Sequence, residues 1–292
     1  MDTIPGFTDM HGKLCVVTGG TGGIGYETAL GLAKLGAKVV IVGHDKDRGE
    51  SAAATIRAKV PGVEIDLLLA DLSIQAEVRR LAETILARYN RIDVLLNNAG
   101  GIFMRRRLTR DKIEETFALN HLSYFLLTNL LLERIIASAP ARIINVSSGS
   151  HYDGLINFTD IQGERHYSGY IAYAQSKLAN VLFTYELARR LKGTDVTANA
   201  LHPGFVASRF GQGNGLVVNT AMHIAHLFAI SPDQGAETSI YLASSPDVER
   251  MTGKYFSRKQ AVESSEASYI IQDQHTLWEL SSQMTGILNP VP

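Results

Sequence analysis

The chain alternates short β-branched, apolar runs with longer stretches whose apolar positions recur every three or four residues. KLCVV (13–17), KVVIV (38–42), EIDLLL (64–69), DVLLN (93–97), ARIINV (141–146) and VTANAL (196–201) read as strands. Helical patterns fall near 23–35, 46–59, 74–89, 109–138 and 170–192. The third carries Ile74, Val78, Leu81, Ile85 and Leu86 at helical spacing, behind Asp71 and Ser73, which suit a cap. Repeated strand–helix alternation implies right-handed crossovers, and so a parallel sheet with helices on both faces. No linker, repeat or low-complexity stretch divides the chain, which predicts one doubly wound α/β domain over residues 1–292.

Two stretches break the alternation. Residues 149–169 interrupt the passage from a strand to the helix near 170–192 and read as an insertion. Residues 205–230 are apolar but carry Gly211, Gly213 and Gly215, the pattern of a substrate flap. Composition adds exclusions. A net charge of −1 gives no electrostatic case for nucleic acid or an anionic membrane. The basic group Arg105, Arg106, Arg107 and Arg110 reads as a solvated loop. The single cysteine, Cys15, sits in an apolar strand, excludes an internal disulfide framework and fits a reducing compartment. The first residues lack a signal-peptide pattern, and no apolar run is long enough to span a bilayer. The expectation is a cytoplasmic protein. His223 and His226 have no carboxylate or cysteine set around them, so no metal is expected.

Two motifs carry chemistry. TGGTGGIG (18–25) directly follows the first strand and opens the first helix, the context in which a glycine loop cradles a pyrophosphate. Gly19 can turn the chain, Gly23 lets backbone approach phosphate, and Gly25 permits close helix–strand packing. The helix N-terminus then offers free N–H groups to an anion. YAQSK (173–177) sets Tyr173 and Lys177 four apart inside an otherwise apolar helix, so both side chains share one face. Alone, that spacing occurs on many helix surfaces.

TGGTGGIG, Asp71, NNAG (97–100), Asn120, Ser148, YAQSK and HPG (202–204) together resemble the short-chain dehydrogenase/reductase superfamily, in its order and over nearly the whole chain. YAQSKLANVLFTYELARRL and LNHLSYFLLTNLLL look most like its retinol-dehydrogenase-like branch. The resemblance implies a Rossmann-type fold and NAD(P)-dependent hydride transfer between the nicotinamide and a small lipophilic alcohol or carbonyl compound. It implies that Tyr173 is the general acid–base, with an ammonium at Lys177 drawing its phenol down towards working pH. Ser148 would bond the substrate oxygen, and Asn120 would support a water behind Lys177. Cofactor contacts are implied for Gly19, Thr21, Gly22, Gly23, Ile24, Gly25, His44, Asp71, Leu72, Asn98, Ala99, Gly100, Tyr173, Lys177, Pro203, Gly204 and Val206. Asn97 and Asn98 serve either as contacts or as turn stabilisers. Relatives pair through helices matching 109–138 and 170–192, which makes a homodimer possible. Ser123 and Tyr124 replace a Gly-His pair common in the retinol-like branch, which puts retinoid specificity in doubt.

NADP is favoured over NAD. Gly43 stands where NAD-preferring relatives place an acid, and His44, Lys46 and Arg48 follow. Two signals oppose it: Asp45, about 20 residues past the last loop glycine, and Gly22, which stands where some NADP-dependent relatives carry a basic residue. A nucleotide-sensing regulator without turnover is the alternative to an enzyme. The presence of Asn120, Ser148, Tyr173 and Lys177 together argues for the enzyme, and the glycine spacing argues against an epimerase.

Overall fold

The structure is a computed structural model and describes residues 8–204 and 230–287. In chain order the first half runs β1 (Leu14–Thr18), α1 (Gly23–Lys34), β2 (Lys38–Gly43), α2 (Lys46–Lys59), β3 (Ile65–Leu69), α3 (Gln75–Arg88) and β4 (Val94–Asn97). A composite helix α4 follows, made of Glu115–Phe117, a π-turn at Ala118–Leu122 and Ser123–Ala137. Then come β5 (Ala141–Val146), α5 (Gly169–Arg190), β6 (Val196–His202), α6 (Pro232–Ser244), β7 (Tyr255–Ser257), β8 (Gln260–Val262) and α7 (Ile271–Thr285).

The strands form one sheet in the order β3-β2-β1-β4-β5-β6-β7-β8. Every pairing is parallel except β7 with β8, which is antiparallel. Alternate residues of β1 face opposite cores. Leu14 and Val16 join α3, α4 and α5, while Cys15 and Val17 join α1, α2 and α6. Burial on both faces is what a sheet between two helical layers requires. Strand order reverses between β1 and β4, and a crevice opens there at the carboxyl ends of the strands.

The single doubly wound domain is as the sequence predicts, and the departures are local. The helix expected over 109–138 starts only at Glu115. Upstream, Leu108 and Glu114 form an antiparallel bridge, and the Glu114 carboxylate accepts from the Thr116 and Phe117 amides, which sets the helix start. Helices α6 and α7 and strands β7 and β8 went unpredicted. Ser231, Pro232 and Gln234 form a capping box with proline in the first turn, a signal that sequence inspection could have used for α6. The strands have three residues each, too short to show a period. The flap expected at 205–230 lies, apart from Ile230, outside the described residues, as do Val206, His223 and His226.

The missing α7 changes the surroundings of the site. Its Trp278 packs edge-on to Phe125 (5.0 Å) and stacks on Phe183 (5.7 Å), while Arg190 lies over the indole. Ser281 bonds His121 at 2.9 Å, and His275 meets the buried Glu186 at 3.1 Å. Within this one chain every residue of α5 from Tyr173 to Leu187 is buried. Over that stretch α5 is covered by elements of its own chain. No helix of the described residues is long and apolar enough to cross a membrane.

Candidate active site

A cleft of about 1600 Å³ runs across the carboxyl ends of β1, β2, β4 and β5. Of the described site residues expected from the sequence, all line it except Asn120 and Asn97, and Val206 lies outside the described residues.

The glycine loop forms one end. Gly19 has φ +66°, open to glycine at little cost. A Cβ on Gly25 would stand 2.3 Å from the Gly19 carbonyl oxygen, so this packing admits no side chain. Helix α1 starts at Gly23 without a side-chain cap and with no acid in its first turn, leaving its first N–H groups for an anion. Thr18 ties the loop to the next strand. Its Oγ1 accepts from the amides of Asn98 (2.8 Å) and Ala99 (3.1 Å), and the Asn98 amide side chain donates to the Thr18 carbonyl at 2.8 Å. Asn98 is therefore a loop fastener that also lines the cleft. Asn97 is not in the lining: it is fully buried and donates to Thr128 and Asn145, a cross-sheet brace.

Asp71 Oδ1 accepts from the backbone and hydroxyl of Ser73, and no described residue donates to Oδ2. Asp45 caps α2 by accepting from the Arg48 amide and does not line the cleft, so the opposing signal for a ribose-binding acid is a helix cap. Lys46 pairs with Glu50 and also stays out. Arg48 was only a neighbour in the sequence, yet its guanidinium lies 3.1 Å from where a Gly22 side chain would begin. It lines the cleft beside His44, Asp47 and Ser51. Gly43 has a packing reason of its own, since a Cβ there would stand 2.5 Å from Thr21 Cγ2.

The other end draws on separate elements. Ser148 follows β5 and caps the short 3₁₀ turn Gly149–Asp153. The neighbouring Ser147 donates to the Lys177 carbonyl at 2.7 Å and fixes α5 against β5. Tyr173 and Lys177 come from the buried stretch of α5, with the Lys177 ammonium 5.7 Å from the Tyr173 ring centre. Burial holds the Tyr173 phenol up at about 12, and the hydrogen bond from Ser148 works against that. Burial also pushes Lys177 down to about 7. The expectation that an ammonium draws the phenol towards neutrality is thus not met. Desolvation dominates both groups, and it is the lysine that titrates near neutral pH.

Asn120 does not reach the cleft. Its amide donates to the Gly101 carbonyl and Ser176 and accepts from the Gly101 amide, while its carbonyl accepts from Asn180. The π-turn places this asparagine as a strut between α4, α5 and the loop after β4. His202 accepts from the Gly149 amide through Nδ1, and burial holds it down at about 4, a structural role. A second Tyr-x-x-x-Lys, Tyr255–Lys259, carries no such convergence. It runs along β7 into a turn, where Lys259 is exposed and pairs with Glu237 at 2.8 Å. Among the described residues no three His, Cys, Asp or Glu side chains form a metal-sized group.

The cleft thus fits a dinucleotide, with a side-chain-free loop and open helix N-terminus at one end and a buried phenol–amine pair at the other. The profile of the short chain dehydrogenase family matches residues 13–216. Retinol dehydrogenase 12 of Mus musculus is 43% identical over 276 residues, covering 94% of this chain and 87% of that protein. Polyprenol dehydrogenase of Homo sapiens is 38% identical over 292 residues, 98% of this chain and 88% of that protein. Among solved structures, a Pseudomonas aeruginosa RhlG/NADP active-site complex superposes with TM-score 0.69 at 28% identity, covering 87% of this chain and 97% of that one. A Mycobacterium paratuberculosis protein of uncharacterized function superposes with TM-score 0.78 at 33% identity, covering 96% of each.

Proposed function

This chain belongs to the short-chain dehydrogenase family, close to its retinol and polyprenol dehydrogenases, and we propose that it interconverts a lipophilic alcohol and its carbonyl compound with NADP in preference to NAD. That it is an NAD(P)-dependent oxidoreductase follows from the family match and the NADP-bound relatives. The observation that carries the proposal is the pairing, in one cleft, of the glycine loop with Ser148, Tyr173 and Lys177.

The bound nicotinamide supplies or accepts the hydride, and this chain's residues handle position and proton. The N–H groups at the start of α1 and the loop backbone bind the pyrophosphate. Asp71, with one oxygen free of described donors, would hold the adenine end, together with Leu72, Ala99 and Gly100. Arg48 and His44, both lining the cleft, would recognise a 2′-phosphate, and Pro203 and Gly204 would hold the nicotinamide end. Ser148 orients the substrate oxygen. In reduction the Tyr173 hydroxyl gives that oxygen its proton; in oxidation the phenolate takes the proton away. Lys177, poised to titrate near neutrality, returns a proton to the phenolate after reduction and takes one on after oxidation.

Support for an apolar substrate comes from the alcohols named in the relatives and from Ile102, Phe103 and Leu119 in the cleft wall. The test is a screen of alcohols and carbonyls with each cofactor, read at the nicotinamide absorbance. Catalytic efficiency should rise along a homologous aldehyde series, each buried methylene contributing about 0.8 kcal/mol. Equal efficiency on short polar carbonyls would overturn the substrate class.

A further inference from the structure

Tyr124 lies one turn beyond Asn120 on α4, is 1% exposed, and does not line the cleft. Its hydroxyl has no hydrogen-bond partner among the described residues. Lys177 Nζ lies 5.9 Å from the Tyr124 ring centre and 5.7 Å from that of Tyr173. The ammonium therefore has two phenols at similar range, Tyr173 on the cleft side and Tyr124 on the buried side. An ammonium has three donors, and Lys177 spends one on the Val146 carbonyl at 3.1 Å.

The groups around this amine are Tyr124 and Asn120 from α4, the Val146 carbonyl from β5, and Tyr173 from its own helix. The Asn120 amide is committed to Gly101 and Ser176. No carboxylate offsets the burial, which is the sole cause acting on Lys177. A second unsatisfied atom belongs to the end of β4, which packs on α4. Asn97 is fully buried and donates to Thr128, one turn past Tyr124, yet its Oδ1 has no partner among the described residues. Buried hydroxyl and amide groups left dry are costly, and a water with two to four polar partners is the ordinary remedy.

We propose that Tyr124 is a positioning residue for Lys177, its hydroxyl holding an ordered water against the ammonium from the side away from the cleft. The water solvates the charged amine where no acid does. Without it the amine loses its proton more readily, and Tyr173 loses its source of a replacement proton at lower pH. The inference rests on the role given above to Lys177, but the water itself does not.

Two measurements test it. A crystal structure of the unmodified enzyme with NADPH, at a resolution that shows waters, should place one within hydrogen-bond distance of both Tyr124 Oη and Lys177 Nζ. A dry gap overturns the proposal whatever the kinetics. The second is the pH profile of reductive kcat for Tyr124→Phe. Its alkaline limb should move down by roughly half a pH unit to one, with NADPH affinity unchanged, and Tyr124→His should restore part of the shift. A limb that stays in place overturns the positioning role even if the water is found. If the hydroxyl is truly dry, Tyr124→Phe should instead raise the melting temperature, since it removes an unpaired polar group. Should the phenylalanine variant fail to fold, the crystallographic result decides.

Discussion

The two ends of the cleft are built on opposite plans. At the nucleotide end the specifying residues are contiguous, Thr18 to Gly25, and what they present is backbone. Around it stand the exposed side chains of His44, Asp47 and Arg48. At the catalytic end Ser148 follows β5 while Tyr173 and Lys177 ride on α5, buried, with Lys177 held against α4 and the end of β5. Asn120, Asn180, Asn145, Asn97, Thr128 and Thr184 link these elements by buried hydrogen bonds, all six residues being almost inaccessible. The first end is shaped by local sterics, the second by long-range satisfaction of polar groups. An anion site needs only donors in the right place, whereas a proton-transfer site also needs a controlled dielectric, and only burial provides that.

If the ends are separable, each can be broken without the other. The largest effect should come from Tyr173→Phe. Removal of the hydroxyl should lower kcat by about 10³-fold, in the range of general acid–base loss, while the NADPH dissociation constant stays within about twofold. Near-normal turnover with a verified substrate would remove Tyr173 from the chemistry. The converse is Gly25→Val, since even a Cβ would stand 2.3 Å from the Gly19 oxygen and 2.5 Å from the Asn98 amide. NADPH affinity should fall by about 100-fold as the loop opens. Unchanged cofactor affinity in a folded Gly25→Val protein would show that the loop does not hold the phosphates.

The same contrast explains what could be read from the sequence. The glycine loop is strand, turn and helix in one run, so its geometry was legible in eight residues. The pair Tyr173–Lys177 was legible because helical spacing fixes their common face. The electrostatics of that pair were not. Spacing suggested an ammonium pulling down a phenol, whereas burial of α5 on all sides sets both groups. That burial depends partly on α7, almost 100 residues later in the chain, whose polar and apolar positions gave no warning. Asn97 and Asn98 show the limit most sharply. Adjacent and identical, they point to opposite sides of the strand end, one into the cross-sheet brace and one to the loop.

A smaller effect should follow from Arg48→Ala, which tests the rim of the nucleotide end. NADPH should bind about 10-fold more weakly while NADH binding changes little, because the lost group faces only the extra phosphate. Titration of both cofactors decides it, and an equal loss for the two would assign Arg48 to the shared part of the dinucleotide. Gly43→Asp is the weaker tool, since any side chain there must displace Thr21.

The smallest effect concerns acid, and it should strike one end first. The loop TGGTGGIG has no titratable side chain, whereas the catalytic end is backed by His121, fully buried between Asn180 and Ser281 of α7. Burial pushes His121 down from the ordinary 6.5 to about 4. Between those values the unfolded chain binds a proton that the folded chain refuses. Stability is therefore complete above about 6.5 and drains away as pH falls towards 4. His202 acts in the same direction. The protein has a single tryptophan, Trp278, and it sits on α7 against Phe125 and Phe183, so its fluorescence reports the loosening where it should begin. Melting followed at Trp278 should drop by several degrees from pH 6.5 to 4.5, and His121→Asn, which keeps polar contacts without a titrating ring, should flatten the slope. A Trp278 transition independent of pH over that interval, or an equal slope in the asparagine variant, would mean that α7 is held by its apolar contacts alone. The catalytic end would then owe its burial to packing rather than to the neutral histidine beneath it.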